Sequence, residues 1–93
     1  MRVMGAIFDT IRNKLNRTFD PSRLEIEDDS ARHHGHAGAR PGGESHFNVI
    51  IESAAFDGAS RVERQRMVYR ALAEELTGPV HALTVKALAP GEA

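Results

Sequence analysis

The chain has 93 residues, of which 41% are apolar and 27% are charged, and this balance predicts a single small globular domain over residues 1–93. Twelve basic and thirteen acidic residues give a net charge of −1, so overall charge does not indicate a nucleic-acid-binding protein. Cysteine is absent, which excludes disulfides, thiol nucleophiles and thiolate metal ligands from this chain. The apolar opening is interrupted at Asp9, far short of the ~20 residues of a membrane span, so we expect a cytoplasmic protein that does not bind membranes.

The first half of the chain predicts a helix followed by two strands. Apolar residues at steps of three and four predict an amphipathic helix over residues 3–18, ended by the dipeptide Asp20-Pro21. Alternation of apolar and acidic residues predicts a strand over 22–29, with Leu24 and Ile26 on its buried face. A second strand over 45–53 completes a hairpin whose tip, residues 30–44, is a long flexible loop rich in glycine and histidine.

The second half predicts a helix and a third strand. Ser60 has the character of an N-cap, with Glu63 three residues later, and the helix runs to about Thr77, with a buried stripe of Met67, Val68, Ala71, Leu72 and Leu76. Gly78 is expected to supply a left-handed stop before Pro79. The third strand covers 80–88, with His81, Leu83, Val85 and Ala87 on one face.

The order α-β-β-α-β predicts an α+β fold, in which both helices pack on one face of a three-stranded sheet. The turn and helix from Ala54 to Gly78 are long enough for a crossover, so strands two and three are expected to run parallel in a mixed sheet.

Histidine is the side chain that indicates metal chemistry here. His33, His34 and His36 lie in the glycine-rich loop, and His81 lies at the start of the last strand. Imidazole is a common ligand of transition metals, but a flexible loop does not hold several ligands in fixed geometry. The pattern therefore indicates an incomplete metal site that a partner protein would finish. The alternative is a solvated loop without a ligand and a His81 ring packed at a strand end. His46 is interpreted as a hydrogen-bonded structural histidine at a strand edge.

The second helix carries four arginines that could meet phosphate groups: Arg61, Arg64, Arg66 and Arg70. Glu63, Glu74 and Glu75 leave this helix about one positive charge in excess, so a solvated face of mixed charge is the alternative. The chain has no nucleophile motif and no phosphate-binding glycine loop, and we expect that it is not an enzyme.

Four segments in order resemble signatures of the BolA family. The segments are Gly43-Glu44-Ser45-His46-Phe47, then Ser53-Ala54-Ala55-Phe56-Asp57-Gly58, then residues 64–69 with Leu72-Ala73-Glu74-Glu75-Leu76, and finally Val80-His81-Ala82-Leu83. The resemblance covers residues 2–90 and implies an α-β-β-α-β fold related to class II KH domains.

The resemblance also implies a function in iron–sulfur and iron homeostasis and in the stress response. BolA proteins bind monothiol glutaredoxins and share a bridging [2Fe–2S] cluster, for which glutaredoxin and glutathione supply sulfur ligands. The BolA partner supplies a histidine at the start of the last strand, matched by His81, and a residue from the loop between the first two strands, matched by His33 with His36 as the rival. The isolated chain is then expected to be a monomer without a cofactor of its own.

Bacterial BolA proteins are also described as DNA-binding transcriptional regulators. The implied surface is the second helix and the turn before it, with Arg61, Arg64, Arg66 and Arg70, together with Lys86 on the last strand. This chain has Gln65 where the family usually has histidine, and glutamine can form hydrogen bonds but lacks the chemistry of an imidazole.

Overall fold

A computed structural model describes residues 5–28, 46–78 and 80–92. The helices are α1 (Ala6–Phe19), α2 (Arg61–Ala71) and α3 (Ala73–Thr77), and a short 3₁₀ turn covers Ala54–Phe56. The strands are β1 (Arg23–Asp28), β2 (His46–Glu52) and β3 (Ala82–Leu88). The predicted α-β-β-α-β order is confirmed, with the second helix divided into two segments.

The three strands form one mixed sheet in the order β1-β2-β3. β1 pairs with β2 antiparallel, with Ile26 opposite Val49, and β2 pairs with β3 parallel, with Val49 opposite Val85. The parallel pairing was predicted from the length of the connection between β2 and β3. It is possible because that connection contains the whole of α2 and α3.

The core lies between one face of the sheet and the helices. β2 alternates half-buried and buried residues, with Phe47, Val49 and Ile51 pointing inward, as the period-two pattern predicts. α1 contributes Ile11 and Leu15, both at 0% exposure, to the same cluster. Val68 of α2 and Leu72 after it are buried, while Met67 and Ala71 of α2 and Leu76 of α3 are partly buried and pack against the core.

The end of α1 differs from the prediction by one residue. Phe19 is still helical and is buried, with its ring centroid 5.0 Å from that of Phe56 in the 3₁₀ turn. The helix ends at Asp20, which adopts the left-handed conformation and donates its backbone N–H to the Asn16 carbonyl. The start of the predicted helix, residues 3 and 4, lies outside the described residues.

The prediction of one unbroken helix from the Ser60 cap to about Thr77 was wrong at Leu72, whose backbone leaves the helical region (φ −109°, ψ 23°). Leu72 N–H donates to Val68 O and Leu76 N–H to Leu72 O, so α-helical hydrogen bonds still link α2 to α3. The predicted cap is confirmed, because the Ser60 hydroxyl accepts the Glu63 N–H at 3.1 Å.

The left-handed stop predicted at Gly78 was also wrong, since its φ is −116°. A Cβ at this position would lie 3.3 Å from the Glu74 carbonyl oxygen, closer than most side chains allow. Glycine is therefore favoured here by the close approach of the helix backbone rather than by a positive φ.

Candidate functional site

His81 lies between two anchored residues at the entrance to β3. Before it, Val80 is buried and donates its N–H to the Glu75 carbonyl at 3.0 Å. After it, Leu83 is buried and its carbonyl accepts the Tyr69 hydroxyl at 3.1 Å. His81 itself is exposed and directly precedes β3, which begins at Ala82, two residues later than the predicted strand. The backbone that carries this imidazole is fixed on both sides, and the side chain is accessible.

Lys14 of α1 forms ion pairs with two residues of α3, the helix whose Glu75 carbonyl holds the backbone just before His81. The Lys14 ammonium lies 2.8 Å from Glu74 Oε1 and 2.9 Å from Glu75 Oε2. Hydrogen bonds to these two carboxylates raise the pKa of Lys14, and the hydrogen bond from Lys14 lowers the pKa of Glu74. The Glu75 carbonyl that holds Val80 therefore belongs to a helix tied to the rest of the fold.

The structure places His46 beside His81. His46 is the first residue of β2 and pairs with Ala82 in the parallel register, and the two imidazole centroids are 6.4 Å apart. His46 was predicted to be a structural histidine at a strand edge, without a link to His81. The predicted parallel pairing was the signal that could have connected them, because parallel strands bring their amino-terminal ends to one edge of the sheet.

His33 and His36 lie outside the described residues, so their predicted role as ligands stays a prediction. The ends of that loop are described. β1 ends at Asp28 opposite Phe47, which in turn lies opposite Leu83 on β3. The loop therefore leaves and re-enters the sheet at the edge where His81 lies. Within residues 5–28, 46–78 and 80–92, no group of three or more histidine, aspartate or glutamate side chains is placed to hold a metal ion.

Of the four arginines in the predicted cluster, Arg64 is bonded to other parts of the fold and the other three are exposed. The Arg64 side chain is only 13% exposed and forms a two-pronged ion pair with Glu92, at 2.6 and 2.9 Å. Its remaining donors reach the carbonyls of Ala59 at 2.9 Å and Ala87 at 3.2 Å. Arg61, Arg66 and Arg70 are exposed, and Lys86 is exposed on β3.

Arg66 has only a weak partner, because its guanidinium lies 3.4 Å from Glu63 and both side chains are more than half exposed. Arg70 lies beside an apolar groove of about 390 Å³ that Phe19 and Met67 help to line. Arg64 therefore differs from the other three arginines, because its hydrogen bonds give it a structural role in the described fold.

Comparison with known proteins decides the family. The family model described as BolA-like protein matches residues 15–92. This chain belongs to the BolA family. A relative from Bos taurus, BolA-like protein 1, is 43% identical over 90 residues, which is 97% of this chain and 64% of the relative. The BolA chain thus spans a little under two thirds of the length of that relative.

Two further comparisons bear on fold and function. The BolA domain of SufE1 from Arabidopsis thaliana superposes with a TM-score of 0.86 at 43% identity, covering 98% of this chain and all of that domain. The predicted α+β architecture is therefore shared with a solved BolA domain. The DNA-binding transcriptional regulator BolA of Escherichia coli strain K12 is 44% identical over 79 residues, covering 85% of this chain and 71% of the relative. None of the helices in the described segments is long and apolar enough to cross a membrane.

Proposed function

We propose that this BolA chain is a non-enzymatic adaptor that binds a monothiol glutaredoxin and contributes histidine to a bridging [2Fe–2S] cluster. The observation that carries the proposal is the placement of His81, which is accessible on a backbone held by the buried Val80 and by the Tyr69 hydroxyl on Leu83. A ligand anchored on a sheet loses little conformational freedom when it binds an iron that another protein also holds.

The residues of this edge fit such a cluster. Imidazole replaces thiolate as an iron ligand in some [2Fe–2S] centres, and this chain has no cysteine to offer. His46 adds a second imidazole 6.4 Å from His81, and the loop that holds His33 and His36 joins the sheet at the same edge. When bound, the cluster would supply electron-transfer or iron–sulfur transfer chemistry, while His81 would act as a ligand to one iron.

The protein as a full chain is titrated into a glutaredoxin loaded with its cluster and glutathione, and visible circular dichroism is followed. The wild-type chain is expected to change the spectrum of the cluster, and His81→Ala is expected to abolish that change. His33→Ala or His36→Ala is expected to weaken it and so to identify the loop ligand. His34→Ala is the matched control, since it removes an imidazole from the same loop. An unchanged response in His81→Ala would overturn the ligand assignment.

A second candidate function is DNA binding by α2. It is favoured by the exposure of Arg61, Arg66 and Arg70 on one helix and by the name of the Escherichia coli relative. Binding through phosphate contacts falls steeply as salt is raised, and removing one contact reduces the slope of log K against log salt by about 1. Arg66→Ala and Arg70→Ala are therefore expected to lower both affinity and slope. Binding that does not depend on salt would contradict this function.

A further inference from the structure

One side of β1 is an edge of the sheet, because the strand order is β1-β2-β3 and β1 pairs with β2 alone among the described segments. The Ser53 N–H donates to β3, and the carbonyl of the preceding residue, Glu52, accepts the Ser22 N–H on the β1 side. Successive residues of a strand direct their backbone groups to opposite sides. The even-numbered residues of β2 therefore face β1, and their partners in the antiparallel register are the odd-numbered residues of β1.

Leu24 and Ile26, the even-numbered residues of β1 before its last position, consequently direct their backbone N–H and C=O groups away from β2. In the part of the chain that the structure describes, neither residue forms a hydrogen bond on this outer side. Alternating backbone groups of this kind are what an extended peptide needs to add a strand to a sheet.

A groove of about 220 Å³ lies beside this edge, between α1 and β1. Phe8, Arg12 and Asn16 of α1 form one wall, and Leu24 and Ile26 form the other. Among the described residues none from β2 lines the groove, so the groove lies on the outer side of β1. Paired residues of neighbouring strands project their side chains to the same face of a sheet. A residue added opposite Leu24 or Ile26 would therefore point its side chain into this groove.

The core layer of the sheet is incompletely covered at this edge. Ile26, Val49 and Val85 form one row across the three strands. Val49 is 2% exposed and Val85 is 8% exposed, but Ile26 is only half-buried. An apolar side chain in the groove would remove the remaining surface of Ile26 from water, which favours binding.

The opposite face of β1 is acidic and selects the charge of an added strand. Arg23 contacts Glu25 through Oε2 alone, at 2.7 Å, and the Glu25 side chain is 57% exposed. Glu25 Oε1 therefore has no partner within the described ranges. β1 as a whole carries one arginine and three carboxylates. A basic side chain placed beside Glu25 is attracted to this face, whereas an acidic one is repelled.

We propose that the outer edge of β1 binds an extended segment of a partner protein in which apolar and basic side chains alternate. The backbone of that segment extends the sheet, its apolar side chains fill the groove beside α1, and its basic side chains lie beside Glu25 and Glu27. A second copy of β1 fits less well, because it would bring three more carboxylates to an acidic strand. The site uses neither His81 nor the arginines of α2, so it is independent of both functions proposed above.

The experiment follows the fluorescence anisotropy of a labelled peptide, about seven residues long to match β1 and alternating lysine with valine, as the full chain is added. The control peptide has the same composition but carries its valines in one block, so it keeps the charge and loses the alternation. It is expected to bind at least about tenfold more weakly, since its valines cannot all face the groove. Equal binding of the two peptides, or no binding of the alternating one, would overturn the proposal.

Methylation of the peptide nitrogens tests the strand geometry with the wild-type chain. An added strand turns every second amide toward β1 and the others away from it. One peptide is methylated on its valine nitrogens and another on its lysine nitrogens. One of the two is expected to lose binding, while the other stays within about threefold of the unmethylated peptide. Equal affinities of the two methylated peptides would contradict strand addition.

Variants of the chain locate the binding edge. Ile26→Pro removes the N–H that faces outward but no hydrogen bond to β2, and edge strands tolerate proline. Ile26→Ala is the matched control, because it also loses the packing of Ile26 but keeps the N–H. Once circular dichroism has shown both to be folded, Ile26→Pro is expected to bind at least about tenfold more weakly than Ile26→Ala. Glu25→Gln is expected to bind about two- to fivefold more weakly than wild type.

Two outcomes with these variants would overturn the proposal. Equal binding by Ile26→Pro and Ile26→Ala would place the peptide elsewhere on the chain. Sedimentation that shows a wild-type dimer and a monomeric Ile26→Pro would assign the edge to a second copy instead of a partner segment. If Ile26→Pro does not fold, the methylated peptides decide the question with the wild-type chain.

Discussion

Ser53 offers the sharpest test of how this fold holds together. Its hydroxyl is 1% exposed, donates to the Phe19 carbonyl at 2.6 Å and accepts the Ala55 N–H at 3.1 Å. Its backbone N–H donates to the Leu88 carbonyl at 2.9 Å. The Ser53 side chain thus joins the end of α1 to the 3₁₀ turn. The Ser53 backbone at the same point holds the end of β3. The perturbation is Ser53→Ala, which removes the hydroxyl and leaves the backbone bond.

The expected loss follows from the two groups left without a partner. A buried carbonyl without a hydrogen bond costs about 1–3 kcal/mol, and the half-exposed setting of the Ala55 N–H places its cost near the lower end of that range. The total is about 2–4 kcal/mol, a large part of the 5–15 kcal/mol that stabilises an average domain. The melting temperature of a chain of this size is then expected to fall by roughly 10 °C or more.

Urea unfolding followed by circular dichroism measures the free energy of unfolding directly. Ser22→Ala is the matched control, because Ser22 makes its hydrogen bonds to Glu52 at an exposed position and its loss is expected to cost less than about 0.5 kcal/mol. The slope of the free energy against urea is expected to stay the same in both variants. If Ser53→Ala were as mild as Ser22→Ala, the buried-hydroxyl argument would be refuted.

Three further changes test other parts of the fold. Ser60→Ala is expected to cost about 1 kcal/mol through the lost cap on Glu63 N–H, and an unchanged urea midpoint would mean that α2 does not depend on this cap. Ile11→Ala is expected to cost about 2–5 kcal/mol in the same assay, because the side chain is fully buried; a loss below 1 kcal/mol would contradict its place in the core. The pKa of Glu92 is lowered to about 2 by hydrogen bonds from Arg64 and from the Ala89 backbone, against about 4.3 in an unfolded chain. A lowered carboxyl pKa stabilises the fold above the unfolded value and loses that effect as pH falls through the folded value. The stability difference between wild type and Glu92→Gln is therefore expected to be constant above about pH 5 and to shrink toward pH 2, and a difference independent of pH would refute the ion pair.

The architecture could be predicted from the sequence because each element has its own local signal. The inward spacing of Phe47, Val49 and Ile51 in β2 and the three-and-four spacing of α1 indicate both the type of element and its buried face, and Ser60 with Glu63 defines the start of α2. The parallel pairing of β2 and β3 followed from the length of their connection. The departure at Leu72 could not be predicted, since leucine favours helix and the residues on both sides continue the apolar stripe.

The candidate site was predictable only in part, since contacts between distant residues leave no local pattern. His81 could be singled out, but its distance to His46 depends on the register between β2 and β3. Arg64 and Glu92 are 28 residues apart, and nothing in the spacing of the arginines distinguishes the one that is engaged from those that are exposed. The buried Glu75 was likewise missed, because its burial depends on α1 and Lys14.

Two side chains of α2, Arg64 and Tyr69, donate hydrogen bonds to β3, and these bonds have a consequence for solubility. β3 is an outer strand of the sheet, and its unpaired backbone groups would otherwise template the addition of a strand from another molecule. Tyr69 and Arg64 donate hydrogen bonds to the carbonyls of Leu83 and Ala87. Both carbonyls lie on the side of β3 where an added strand would have to form its hydrogen bonds. Hydrogen bonds from two α2 side chains therefore protect this edge of the sheet against aggregation. Other folds protect their edge strands with exposed charges, prolines or bulges.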